Sequence, residues 1–241
     1  MKVIKVPFSC GRGEELAADI IVQKAKEYSC SEEERLPVLI TDYAEAEDKI
    51  HNKAADVFKE NLGAVFLGGG HLITLPIFQA FREVYPGAGI VILDAHIDSQ
   101  FDEDLLNGLV KIIKGENIIL VGCRKYSPRE TAFIKEHKIR MFTMKEIASE
   151  GCHEVSDSVM SIAKNFSNLY VSIDIDVLDP AFAPGTGCPE PGGLSSRELI
   201  YFIQRLKKLR NFTACDITEI NPKADNGITS EIGAKLLIEL S

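Results

Sequence analysis

Short runs of β-branched and aliphatic residues alternate along this chain with longer amphipathic segments. The apolar runs fall at residues 3–7, 36–40, 64–67, 90–93, 118–121, 139–142, 169–173 and 212–217, and they read as strands. Helical spacing fills most of the intervals, at residues 14–27, 48–61, 76–84, 128–137 and 154–166. Ser195-Ser196-Arg197-Glu198 has the form of a capping box, which predicts a helix from there to about Arg210. A last helix is expected at residues 230–240. Strands that are apolar throughout, rather than alternating, are buried on both faces, as in a parallel sheet covered by helices. Eight of them suit either an open doubly wound sheet or a closed barrel, and periodicity does not choose. The longest irregular stretch, residues 177–194, is rich in Pro and Gly, and a loop of that length is usually functional. No repeat, low-complexity segment or linker interrupts the pattern, so a single domain over residues 1–241 is expected.

Composition narrows the classes of function. With 45% hydrophobic residues the chain can fill a real core. A net charge of -9 argues against nucleic acid and anionic membranes as partners. It fits a cation-binding site, although scattered acids such as Glu32, Glu33 and Glu34 explain most of it. No apolar run reaches membrane-spanning length, and the N-terminus starts as a strand without a signal-peptide pattern, so a cytoplasmic protein is expected. Six cysteines are scattered with no Cys-x-x-Cys pair, which reads as reduced, mostly buried thiols.

The candidate chemistry sits at strand ends. Asp94-Ala95-His96-Ile97-Asp98 follows one apolar run, and Ser172-Ile173-Asp174-Ile175-Asp176 closes another. At period two, Asp94, His96 and Asp98 point one way, as do Asp174 and Asp176. Like charges that close resist ionising together, and a pair of divalent cations is the simplest remedy. Gly68-Gly69-Gly70-His71 and Thr218-Glu219-Ile220-Asn221-Pro222 follow two further strands. All carboxyl ends of a parallel sheet face one edge, where α/β proteins bind ligands. Taken singly, these residues have plainer readings. Asp179 is as readily a helix cap as a ligand, a lone His71 is more often structural, Glu219 could cap a helix, and the glycine run lacks the Gly-Lys-Ser/Thr of a phosphate loop. Taken together, a purely structural role would bury several unpaired charges at high cost. The oxygen-rich set with a minority of imidazole suits Mn²⁺ better than a thiolate-loving metal.

The joint pattern resembles the ureohydrolase family, which includes arginases, agmatinases and formiminoglutamases. Residues 94–98 look like the family's Asp-Ala-His-x-Asp, and residues 172–193 like its long Ser-x-Asp-x-Asp-x-x-Asp-Pro signature. Residues 68–71 stand where the family has Gly-Gly-Asp-His, and residues 218–222 where it has a Val-Glu-x-Asn-Pro-like segment. The resemblance implies a three-layer α/β/α sandwich around a central eight-stranded parallel sheet, and so decides against the barrel. It implies two Mn²⁺ ions, one held by His71, Asp94, Asp98 and Asp174, the other by His96, Asp94, Asp174 and Asp176. It implies hydrolysis of a guanidine to urea and an amine, with Asp98 relaying a proton and Glu219 pairing with the guanidinium. A homo-oligomer, trimer or hexamer, is the family's habit.

This chain departs from the family at three places. The His-Gly of the loop after Asp-Ala-His-x-Asp corresponds here to Asn107-Gly108, and Asn cannot shuttle a proton at neutral pH. Gly70 replaces an Asp expected to support His71, and Cys188 replaces a Thr of the substrate loop. The polar loop with which arginase reads an amino-acid head is absent, and acidic Asp102, Glu103 and Asp104 stand near the entrance. Residues 184–193 look more like agmatinase than arginase. A small cationic guanidine such as agmatine is therefore the expected substrate. Arginine, a guanidino acid, or a metal-binding protein without catalysis are the alternatives. A zinc deacetylase would want tandem histidines, and a dinucleotide-binding protein a different glycine spacing.

Overall fold

The computed structural model describes residues 1–8, 14–26, 33–35, 43–60, 63–98 and 104–241. Its strands are β1 (Lys2–Val6), β2 (Glu33–Arg35), β3 (Ala64–Gly68), β4 (Gly89–Leu93), β5 (Ile118–Cys123), β6 (Arg140–Thr143), β7 (Leu169–Asp174) and β8 (Phe212–Thr218). They form one sheet in the order β2-β1-β3-β8-β7-β4-β5-β6, and every pairing is parallel. Seven strands span four to seven residues, and β2 is a three-residue edge strand. The strand expected at residues 36–40 lies outside the described residues.

The helices are α1 (Ala17–Lys26), α2 (Tyr43–Lys59), α3 (Thr74–Val84), α4 (Leu105–Ile112), α5 (Pro128–Glu136), α6 (Met144–Glu150), α7 (Cys152–Ala163), α8 (Ser196–Leu206) and α9 (Ile228–Leu240). Side chains alternate across each strand, and two separate cores result. Val65, Leu67, Val91 and Leu93 pack with residues of α1, α7, α8 and α9 on one face. Ala64, Phe66, Ile90 and Ile92 pack with α2, α3, α4 and α5 on the other. The outcome is the three-layer α/β/α sandwich with an open sheet.

Local signals set several helix starts. The expected capping box at Ser195 and Glu198 is present, and Ser127–Glu130 and Thr143–Glu146 make two more. The helices α4 and α6 were not among the expected elements. Both are short, and α4 carries Asn107 and Gly108, poor helix formers that weaken its signal. Its burial of Leu105, Leu106 and Leu109 against the sheet overrides that propensity. The irregular stretch from Val177 to Leu194 is tied to the body by the Arg124 guanidinium, which donates to the carbonyls of Asp176, Leu178 and Glu190.

Candidate active site

The four strands β3, β8, β7 and β4 are consecutive in the sheet, and their carboxyl ends carry His71, Glu219, Asp174 and Asp94 in that order. The connection from one half of the sheet to the other is made here, where open α/β sheets leave a crevice. A cavity of about 350 Å³ opens at this edge, lined among others by His71, His96, Asp98, Asp174, Asp176 and Glu219.

His71 starts a short 3₁₀ turn after the three glycines and is buried. Its Nδ1 lies 3.1 Å from Asp94 Oδ2, 3.3 Å from Asp174 Oδ2 and 3.7 Å from Asp98 Oδ2. None of these approaches has hydrogen-bond geometry, so this buried nitrogen is left without a partner. His96 Nδ1 lies 2.9 Å from Asp176 Oδ2 and 3.6 Å from Asp94 Oδ1. Backbone groups lock the carboxylates. Asp94 accepts from the His96 N–H at 2.6 Å, Asp174 from the Asp176 N–H at 2.8 Å, and Asp176 from the Ala95 N–H at 3.1 Å.

Two sets of side chains could each hold a metal ion: His71, Asp94 and Asp174, and Asp94, His96 and Asp176. Asp94 belongs to both. The donors fit a pair of hard or borderline divalent cations. An imidazole nitrogen facing three carboxylate oxygens without a hydrogen bond is what a ligand set looks like before its cation is counted. Asp98 and Glu219 also carry positive φ, 52° and 61°, and only Lys138 shares this among the described non-glycine residues. Such backbone costs about 1–3 kcal/mol and tends to persist where function requires it.

The electrostatics agree. Burial pushes Asp174 well above the usual carboxylate range, and Asp176 and Asp94 push it further. Burial and then Asp94 raise Asp176. Burial would lower His71, but Asp94 and Asp98 outweigh it and hold the imidazolium well above its ordinary value. The hydrogen bond to Asp176, then Asp94, lifts His96 to about 10. Without cations the cluster therefore keeps protons that a neutral solution would otherwise remove. Bound cations invert this local logic.

Glu219 accepts from the His71 backbone N–H at 2.7 Å, and burial raises its carboxyl. Cys188 is exposed and lines the cavity. Asn107 lies in the first turn of α4 and is not among the described residues that line the cavity. Asp179 caps no helix, since none begins between Val177 and Ser196. Its carboxylate accepts from the backbone N–H groups of Ala181, Gly192 and Gly193 and so closes the loop. Of the acidic run, Asp104 lines the cavity, while Asp102 and Glu103 lie outside the described residues.

Sequence reasoning missed three features. Asp216 is fully buried and accepts from Ser172, Thr74 and Tyr170. Its position two residues before Thr218 on an apolar strand was the available signal. Arg124, just past β5, ties down the long loop through its guanidinium. Glu14 enters the cavity from the N-terminal turn, and nothing in its local sequence marks it.

A family model described as the Arginase family matches residues 10–241. The chain is 30% identical over 213 residues to an arginase of Staphylococcus aureus, covering 78% of this chain and 70% of that protein. It is 35% identical over 189 residues to a guanidinopropionase of Pseudomonas aeruginosa, covering 72% of this chain and 58% of that protein. The crystal structure of arginase from Bacillus subtilis superimposes with a TM-score of 0.90 at 25% identity, covering 100% of this chain and 97% of that one. A ligand cluster on four central strand ends, a matching family model and a shared fold over the whole length agree, and the chain belongs to the arginase family.

Proposed function

We propose that this protein hydrolyses the C–N bond of a small guanidine, releasing urea and an amine, with two divalent ions held by His71, Asp94, Asp98 and Asp174 and by His96, Asp94, Asp174 and Asp176. The observation that carries the reading is Asp94, shared between two candidate ligand sets in a cavity that also presents Glu219. When bound, a pair of divalent cations supplies water activation at neutral pH, and Mn²⁺ suits the donor set. Glu219 accepts from the planar N–H groups of the guanidinium and orients its carbon toward the cluster. Asp98, 42% exposed at the cluster's rim, takes the proton of the attacking water and passes it to the departing nitrogen. Water's oxygen joins the guanidinium carbon, the bond to the substituted nitrogen breaks, and that nitrogen leaves as the protonated amine.

Agmatine is the preferred substrate over arginine. Glu14, Asp98, Asp104, Asp174, Asp176 and Glu219 line the cavity, and no Lys or Arg lines it among the described residues. A substrate carboxylate would meet only like charge, whereas a cationic tail is attracted. Metal-loaded protein assayed on agmatine, arginine, guanidinopropionate and guanidinobutyrate, with products identified by mass spectrometry, tests both parts. Higher kcat/KM on agmatine is expected, and comparable turnover of arginine overturns the preference. One observation favours a second reading, a metal-binding protein without catalysis: among the described residues His71 and His96 are the only cavity-lining histidines. Absence of urea from every guanidine selects it.

A further inference from the structure

Glu14 opens the short 3₁₀ turn Glu14–Leu16 that leads into α1. It is 2% exposed, it lines the cavity, and its Oε1 has no hydrogen-bond partner. A buried carboxylate oxygen without a donor is costly. The buried side chains around it offer no relief. The other titratable groups lining the cavity are His71, His96, Asp98, Asp104, Asp174, Asp176 and Glu219. His96 is paired with Asp176, His71 turns Nδ1 to Asp94 and Asp174 and Nε2 to Ser172, and the charge of Glu14 adds to the burial that raises Glu219. Among the described residues no Lys or Arg lines the cavity, and a cationic ligand would supply the donor that Glu14 lacks.

Position separates Glu14 from the reacting end. The carboxylates of β4, β7 and β8 sit at the strand ends, with Glu219 fixed on the His71 backbone at 2.7 Å. Glu14 comes from the N-terminal turn, a different element, and shares the cavity with Phe8 and Cys188. The volume, about 350 Å³, is at the small end of ligand sites, so a ligand that reaches Glu219 is short. We propose that Glu14 is the specificity-determining residue of this site, accepting a hydrogen bond from an ammonium at the far end of a small alkylguanidine. The proposal rests on the guanidine-hydrolase reading for its other end. A cationic donor compensates the buried charge as well as the hydrogen bond, which a neutral hydroxyl does not. A carboxylate tail would bring two like charges together in a dry pocket.

The test compares agmatine with butylguanidine, which has the same chain without the ammonium, on metal-loaded wild type and Glu14→Gln. Gln keeps the shape and removes the charge. Calorimetric Kd and, where urea forms, KM and kcat are the readouts. Losing one partner of a buried charge pair predicts agmatine binding weaker by about ten- to a hundredfold, carried by Kd and KM rather than kcat. Butylguanidine should change by less than about twofold, and Glu14→Asp should restore part of the agmatine preference. Equal losses on both ligands, or none on agmatine, overturn the assignment. Absence of urea from any guanidine refutes the hydrolase reading instead, and the binding arm still decides Glu14.

Discussion

The Ser172 hydroxyl lies 3.0 Å from Nε2 of His71. On its other side it donates to Asp216 Oδ1 at 2.8 Å. Because the hydroxyl gives its one hydrogen to Asp216, it accepts from Nε2–H of His71, whose Nδ1 faces the carboxylate cluster. This relay fixes the tautomer and the ring plane, a task the family gives in part to an Asp where this chain has Gly70. Partners of this kind are typically worth about ten- to a hundredfold in metal affinity. Ser172→Ala should weaken binding of Mn²⁺ by that factor in a chelator competition. Unchanged affinity would show that the relay has no part in holding the ligand.

Asp216 depends on its donors. It is fully buried, and burial raises its carboxyl, while Tyr170 donates to Oδ2 at 2.7 Å and Thr74 at 2.9 Å. Tyr170 is itself packed edge-on against Phe78 and Phe81, so Tyr170→Phe keeps the packing and removes the bond. Hydrogen bonds to charged groups are worth about 1.5–3 kcal/mol. A loss of that size is expected in urea denaturation, with metal content unchanged. Wild-type stability in the variant would mean that Thr74 and Ser172 suffice.

Asp94 belongs to both candidate ligand sets, and in the proposed reading Asp174 bridges with it. Asp94→Asn and Asp174→Asn should each reduce bound divalent metal and abolish hydrolysis, and the wild-type ions should sit roughly 3–4 Å apart. Elemental analysis of purified, metal-loaded variants is the measurement. Full occupancy in both variants would remove the binuclear assignment.

The pH dependence of metal-free protein follows from the cluster. His96, lifted to about 10 by Asp176 and Asp94, binds its proton more tightly folded than unfolded. Its stabilisation is complete below the unfolded value, about 6.5, and is lost as pH rises toward about 10. Asp174 and Asp176, raised by burial and by neighbouring carboxylates, act in the same direction above about pH 4. Asp94 is lowered, burial being outweighed by the two histidines, and titrates below that window. Chelated protein should therefore lose melting temperature between about pH 6.5 and 9. Metal-loaded protein should lose less, because cations replace the protons. Parallel curves would contradict this account.

In the proposed reaction, proton delivery to the leaving amine would fall to Asp98 and solvent. Added imidazole should accelerate a slow wild-type turnover, as positioned general acids typically give about 10²–10⁴-fold. Asn107→His should leave kcat within about twofold, the usual range for a change away from a site, because residue 107 is not among the described residues that line the cavity. A large rise in kcat would show that the helix turn opens during catalysis.

Much of the fold was legible because its strands are buried on both faces. Apolar runs at β3, β4, β5, β7 and β8 have no competing reading except a buried helix, and their lengths exclude that. The metal cluster was legible for a related reason. Asp94, His96 and Asp98, and Asp174 and Asp176, are neighbours in sequence at strand ends, so their spacing marked them, although the chain has left β4 before Asp94 and enters a 3₁₀ turn at Ile175. His71 and Glu219 were found because parallel strands end at one edge.

The sequence by itself therefore determined the sheet, its cover of helices and which residue types stand at the strand ends as candidate ligands. Tertiary structure alone decided the order β3-β8-β7-β4, which makes those ligands neighbours. It alone turned residues 105–112 into α4, where burial of Leu105, Leu106 and Leu109 outweighs weak local propensity. It alone brought Asp216 under His71 through Ser172 and left Glu14 facing into the site. The physical reason is range. Periodicity and capping act within a few residues, whereas the partner of a buried charge is chosen by packing across 44 positions for Ser172 and Asp216 and 148 for His71 and Glu219.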